Sequence, residues 1–111
     1  MEKYTFKKHY GDFEMEDFFD AIDCEYDMKI ITYKGRDYIA YRCTDRSTGE
    51  EDWWLCDASE YIAKAKKGKR PSKLSDVYHS LDELVRAPIL DGKSIVERYD
   101  EIGKCDWYDV E

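Results

Sequence analysis

The dipeptide Lys34-Gly35 separates two runs of apolar, β-branched and aromatic residues, Met28 to Tyr33 and Tyr38 to Cys43. A two-residue connection ending in glycine suits a β-hairpin, because the turn that matches strand twist needs positive φ at its centre. Turning the chain there sets Ile30 opposite Ile39, Met28 opposite Tyr41 and Tyr26 opposite Cys43. A second turn falls within Asp45 to Glu50, where DRSTGE has the composition of a loop. Pairing Tyr41 with Trp54 and Ile39 with Cys56 then keeps one continuous face: Tyr26, Met28, Ile30, Ile39, Tyr41, Cys43, Trp54 and Cys56. The spacing predicts a three-strand antiparallel meander over residues 26–57 with that face toward the core.

The reverse face reads Ile31, Tyr33, Tyr38, Ala40, Arg42, Trp53 and Leu55. It is not polar, as a solvated antiparallel face should be. Either a helix or a terminus covers it, or it is an aromatic surface.

Elements on both sides of the meander complete the expected fold. Lys3 to His9 alternates as a short edge strand with lysines outward. From Phe13 to Asp23, Met15, Phe18, Phe19 and Ile22 form the stripe of an amphipathic helix, with Asp12 as its cap. Asp57 and Glu60 resemble a capping box opening a helix that ends at Gly68. A short strand at Asp76 to His79 leads into the box Ser80/Glu83, whose helix Pro88 stops. Asp91-Gly92 turns the chain, and Ser94/Glu97 starts another helix with Ile95, Val96, Tyr99 and Ile102 inward, closed by Gly103. The tail from Lys104 carries Trp107 and Tyr108, which should pack. The expected class is α+β in a single domain of 111 residues. It has a three- or four-stranded antiparallel sheet, an acidic amino-terminal helix and two or three short carboxyl-terminal helices.

Charge is segregated along the chain. Between Asp12 and Asp27 stand eight carboxylates (Asp12, Glu14, Glu16, Asp17, Asp20, Asp23, Glu25, Asp27) and no Lys or Arg, against a net charge of −8 for the whole chain. Residues 64–73 hold six cations and no acid. Such a distribution predicts a negative face and a smaller positive one, both able to steer partners. On the amino-terminal helix Glu16, Asp17, Asp20 and Asp23 lie opposite the apolar stripe, so the acidity is displayed.

No catalytic or cofactor motif stands up. Gly92-Lys93-Ser94 ends like a phosphate-binding loop, but Ala87 occupies the position of its first glycine and the upstream element reads as a helix. His9 and His79 lack a nucleophile in a recognisable elbow. The acidic run is punctuated by Phe13, Phe18 and Phe19, so it cannot bend into a calcium loop without exposing them. Cys24, Cys43, Cys56 and Cys105 are scattered and read as free, mostly buried thiols. No apolar run approaches the ~18 residues of a membrane span, and a cytoplasmic location is expected.

The block DELVRAPILDGKSIVERYDEI, Asp82 to Ile102, resembles a segment of small uncharacterised proteins of Gram-positive bacteria, their phages and conjugative elements. Those pair an aromatic hairpin with a carboxyl-terminal two-helix block. The resemblance implies a mobile-element accessory protein; it implies no activity.

These readings predict a non-enzymatic binding protein, with no cofactor, metal or catalytic residue, that engages a basic protein partner as an inhibitor or accessory factor. Glu16, Asp17 and Asp20 would steer the encounter, and Tyr33, Tyr38 and Trp53 would anchor it. The alternative is nucleic-acid association through Lys64, Lys66, Lys67, Lys69 and Arg70, with the aromatic face stacking bases. A pI near 4.8 weighs against it. The chain is expected to be a monomer, or a homodimer built on the aromatic sheet face.

Overall fold

The hairpin forms where the sequence places it. In the computed structural model, which describes residues 4–24 and 28–111, Lys34 and Gly35 take φ of 48° and 76°. They join β2 (Ile30–Tyr33) to β3 (Arg36–Thr44). Positive φ at both central residues matches the right-handed twist of the strands. Ile30 faces Ile39 across this hairpin, and β4 (Glu51–Asp57) sets Cys56 opposite Ile39 and Trp54 opposite Tyr41. These are the predicted registers. Met28 stands two residues before β2 begins, so it forms no rung with Tyr41. Tyr26 and its pairing with Cys43 lie outside the described residues.

The sheet is wider than predicted, with five antiparallel strands in the order β1-β5-β2-β3-β4 instead of three or four. β1 (Phe6–Tyr10) is an edge strand. The unforeseen member is β5 (Gly103–Val110), which enters between β1 and β2 with Phe6 opposite Val110 and Ile31 opposite Lys104. Gly103 leaves a gap in this strand that the Tyr10 ring fills; a Cβ there would lie 2.6 Å from Tyr10 Cε1. The Tyr10 hydroxyl donates to Thr32 Oγ1 (3.2 Å), Thr32 donates to Asp37 (2.7 Å), and Lys8 donates to both oxygens of Asp37 (2.9 and 3.0 Å). Side chains of β1, β2 and β3 thus join hands over β5.

Strand alternation divides the core in two. Ile31, Tyr33, Ala40, Trp53 and Leu55 pack with Phe18 and Ile22 of α1 (Met15–Asp23), with Leu81, Leu84 and Val85 of α3 (Leu81–Arg86), and with Leu90, Ile95 and Ile102. On the other face Ile30, Ile39, Trp54, Cys56 and Cys105 meet Ala58 and Tyr61 of α2 (Ala58–Lys66). The aromatic reverse face is therefore the larger core, covered by α1 and α3. Acidic α1 and basic α2 occupy opposite sides of the sheet.

Several local signals form as expected. Asp57 caps α2 by accepting from the Glu60 N–H. The helix ends in a Schellman motif, with Gly68 at φ 67° and the Lys69 N–H donating to the Lys64 carbonyl. The Glu60 side chain does not return to Asp57; it accepts from the Ser72 N–H at 2.6 Å and ties down the basic loop. Ser80 caps α3 as predicted.

Other expectations are corrected. α1 begins at Met15, and Glu14, not Asp12, holds the cap position, without a side-chain hydrogen bond. Asp76 to His79 is no strand: Tyr78 makes one bridge to Trp53, which with the Leu74 N–H to the Leu55 carbonyl closes the outer edge of β4. The box Ser94/Glu97 forms reciprocally, at 3.0 Å each way, yet no α-helix follows. The chain makes turns and a 3-10 helix, Tyr99–Glu101, because Arg98 is drawn back to the Leu90 carbonyl (2.7 Å) and β5 starts at Gly103. Among the described residues no helix is long and apolar enough to cross a membrane.

Candidate partner-binding surface

α1 is held by its aromatic side. Phe18 is fully buried, and Phe13, Phe19 and Tyr99 surround it with ring centroids 5.5–6.3 Å apart. The Tyr99 hydroxyl donates to the Phe13 carbonyl at 2.7 Å, which fixes the chain entering the helix. Burial, and then the negative charges of Glu14, Asp100, Asp12 and Asp17, push that hydroxyl up to about 12. At the other end Arg42 clamps Asp23: its guanidinium donates to the Asp23 carbonyl and carboxylate, pairs with Glu51 (3.2 Å) and lies 4.4 Å over the Trp53 ring.

The acids of α1 divide accordingly. Asp23 is neutralised internally, whereas Glu16, Asp17 and Asp20 are exposed and have no ion-pair partner among the described residues. Glu25 and Asp27 lie outside those residues. Beside Glu16 and Asp20 an open groove of about 350 Å³ runs between α1 and α3. Its apolar lining comes from Met15, Phe19, Val85 and Val96, and its polar lining from Glu16, Asp20, Asp82 and Arg86. Arg86 and Asp82 are paired at 2.9 Å across one helical turn.

The expected anchors are not part of this surface. Trp53 is 1% and Tyr33 5% exposed, so neither can meet a partner, stack a base or build a dimer face. Tyr38 is half-buried on the same sheet face, with the Arg36 guanidinium 5.1 Å over its ring. The groove walls from α3 and Val96 escaped the sequence reading, although Met15 and Phe19, one turn apart on the margin of the stripe beside Glu16 and Asp20, were a signal for them.

The cations of the basic segment collect at the end of α2 and the loop after it. Lys66, Lys67, Lys69 and Arg70 are exposed and Lys64 half-buried, and none has a carboxylate within ion-pair distance among the described residues. Lys66 lies 4.7 Å over the Tyr4 ring and Lys73 4.5 Å over the Trp54 ring. His9 stacks on Trp107 at 3.5 Å, and His79 faces Asp52 at 3.4 Å with both side chains exposed. Burial pushes the Cys56 thiol up to about 12, which suits a packing role. No protein-family model matches the chain, and no curated protein or solved structure matches it.

Proposed function

We propose that this chain is a small non-enzymatic binding protein that engages a basic protein partner through the acidic face of α1, as an inhibitor or accessory factor. The observation that carries the reading is that Glu16, Asp17 and Asp20 are exposed and have no ion-pair partner among the described residues. Elsewhere Lys8, Lys29, Lys34, Arg36, Arg42, Arg86 and Arg98 each hold a carboxylate. The three helix acids are exposed, and clustered charge accelerates encounter with an opposite surface. The resemblance of residues 82–102 to proteins of phages and conjugative elements supports a role as a mobile-element accessory.

The test is capture from host lysate at low and moderate salt by the wild type and by E16K/D17K/D20K, with circular dichroism to establish that the variant is folded. A protein with a basic contact surface is expected to bind the first and to be lost from the second. Equal retention by both would sink the proposal.

A second reading, nucleic-acid association through Lys64, Lys66, Lys67, Lys69 and Arg70, is favoured by those cations having no carboxylate within ion-pair distance among the described residues. Filter binding across a salt series discriminates. Steeply salt-dependent affinity for DNA or RNA, abolished by charge reversal at those positions, supports this reading against the first.

A further inference from the structure

We infer that the groove between α1 and α3 takes an amphipathic basic helix of the partner, with apolar side chains against Met15, Phe19, Val85 and Val96 and cations against Glu16 and Asp20. The inference rests on the acidic-face reading and specifies where and in what form the partner binds. Three observations lead to it.

First, only part of the apolar stripe of α1 turns toward the sheet. Phe18 and Ile22 turn inward and are 0% and 4% exposed, whereas Met15 and Phe19 line the groove. Second, Glu16 and Asp20 line the same groove one turn apart, and neither has an ion-pair partner among the described residues. Like charges at that spacing cost a helix stability, and α1 has no cation in its last turn to offset them. Their arrangement suits something outside the molecule. Third, Asp82 is already satisfied by Arg86, so the unmet charge of the groove lies along its α1 wall.

The walls decide the form of the occupant. They are the helix α1, the six-residue α3 and the turn at Val96, with the Val85 carbonyl taken by the Val96 N–H, and none is a strand edge, so the groove offers no ladder to an extended strand. Recognition falls to side chains. A helix presenting apolar residues at i and i+4, flanked by Lys or Arg, matches both the lining and the charge. Met15 adapts its shape to such an occupant at little cost. Asp17 has a different place: it is among the charges acting on Tyr99, and it is absent from the groove lining.

Two synthetic peptides of about 15 residues, long enough to hold helix, test this on the whole chain. One carries a Leu stripe with Lys on the remaining faces; the other has the same composition scrambled. Methyl NMR at low salt should show the patterned peptide shifting Met15, Val85 and Val96, and the scrambled one binding about tenfold more weakly. E16K/D20K should weaken the patterned peptide about tenfold and D17K by less than about threefold. Equal binding of the two peptides, with all three carboxylates contributing alike, would overturn the groove and leave the acidic-face reading standing. Binding of the patterned peptide without movement of those methyls would also overturn the groove. Failure of both peptides to bind, together with equal lysate retention by wild type and E16K/D17K/D20K, would overturn both.

Discussion

Trp53 carries more of the fold than any surface role would let it. Its ring is 1% exposed at the centre of the larger core, beneath the Arg42 guanidinium that also clamps α1. Its Nε1–H is buried with no hydrogen-bond partner among the described residues. Trp53→Ala is expected to cost about 3–5 kcal/mol, a large part of the stability of a domain this size. Trp53→Phe keeps most of the apolar volume and removes the orphaned donor, so it should cost less than about 2 kcal/mol. Urea unfolding of both variants checks the order, and a larger loss for Phe than for Ala would contradict it. Period-two alternation put Trp53, Tyr33 and Tyr38 on one face correctly. Whether that face was wet depended on α1 and α3, helices outside the meander on either side, which alternation within a strand does not encode.

At the scale of the element, α1 is built against its own electrostatics. Asp20 stands near the negative end of the helix dipole, one turn from Glu16, and the last turn of the helix holds no cation. Asp20→Lys is therefore expected to stabilise the fold, by about 0.3–0.5 kcal/mol, while weakening partner binding. Thermal unfolding in low salt checks the first part, and the gain should shrink as salt screens it. A destabilised variant would mean that Asp20 has an internal role the geometry does not reveal. The elements legible in the sequence were those with local chemistry: the Lys34-Gly35 turn, the Asp57 and Ser80 caps, the Gly68 stop. Those that escaped depend on distant neighbours. In the segment GKCDWYDV the period-two alternation breaks at Trp107-Tyr108, so it does not announce a strand, and it becomes one because β1 and β2 lie on either side to pair with it. The helix expected after Ser94 has a complete capping box and still yields, because the demands of Arg98 and of β5 outweigh about ten residues of local propensity.

At the scale of the molecule, several carboxylates hold structure together and set its response to acid. Ser47 holds Asp45 below the usual carboxylate range through its hydroxyl and N–H, Ser72 does the same for Glu60, and the Ser94 N–H and hydroxyl do so for Glu97. The Lys34 ammonium lowers Asp91 in the same way. A carboxyl whose folded pKa is depressed contributes stability above its unfolded value, about 4, and loses that contribution as pH falls through the folded value. The unfolding midpoint should therefore be flat near neutrality and fall below about pH 4. Glu60→Gln, which cannot titrate, should lower the plateau and flatten the fall. A midpoint that rises into acid would contradict the assignment.

The position of β5 also bears on how the molecule is made. While a ribosome is still adding residues 103–110, β1 has nothing to pair with and β2 shows a naked margin on the side away from β3. The sheet cannot close in the order of synthesis; the hairpin and α2 must wait, half-dressed, for a strand that arrives late. During that interval the nascent chain offers two unpaired strand borders to chaperones and proteases.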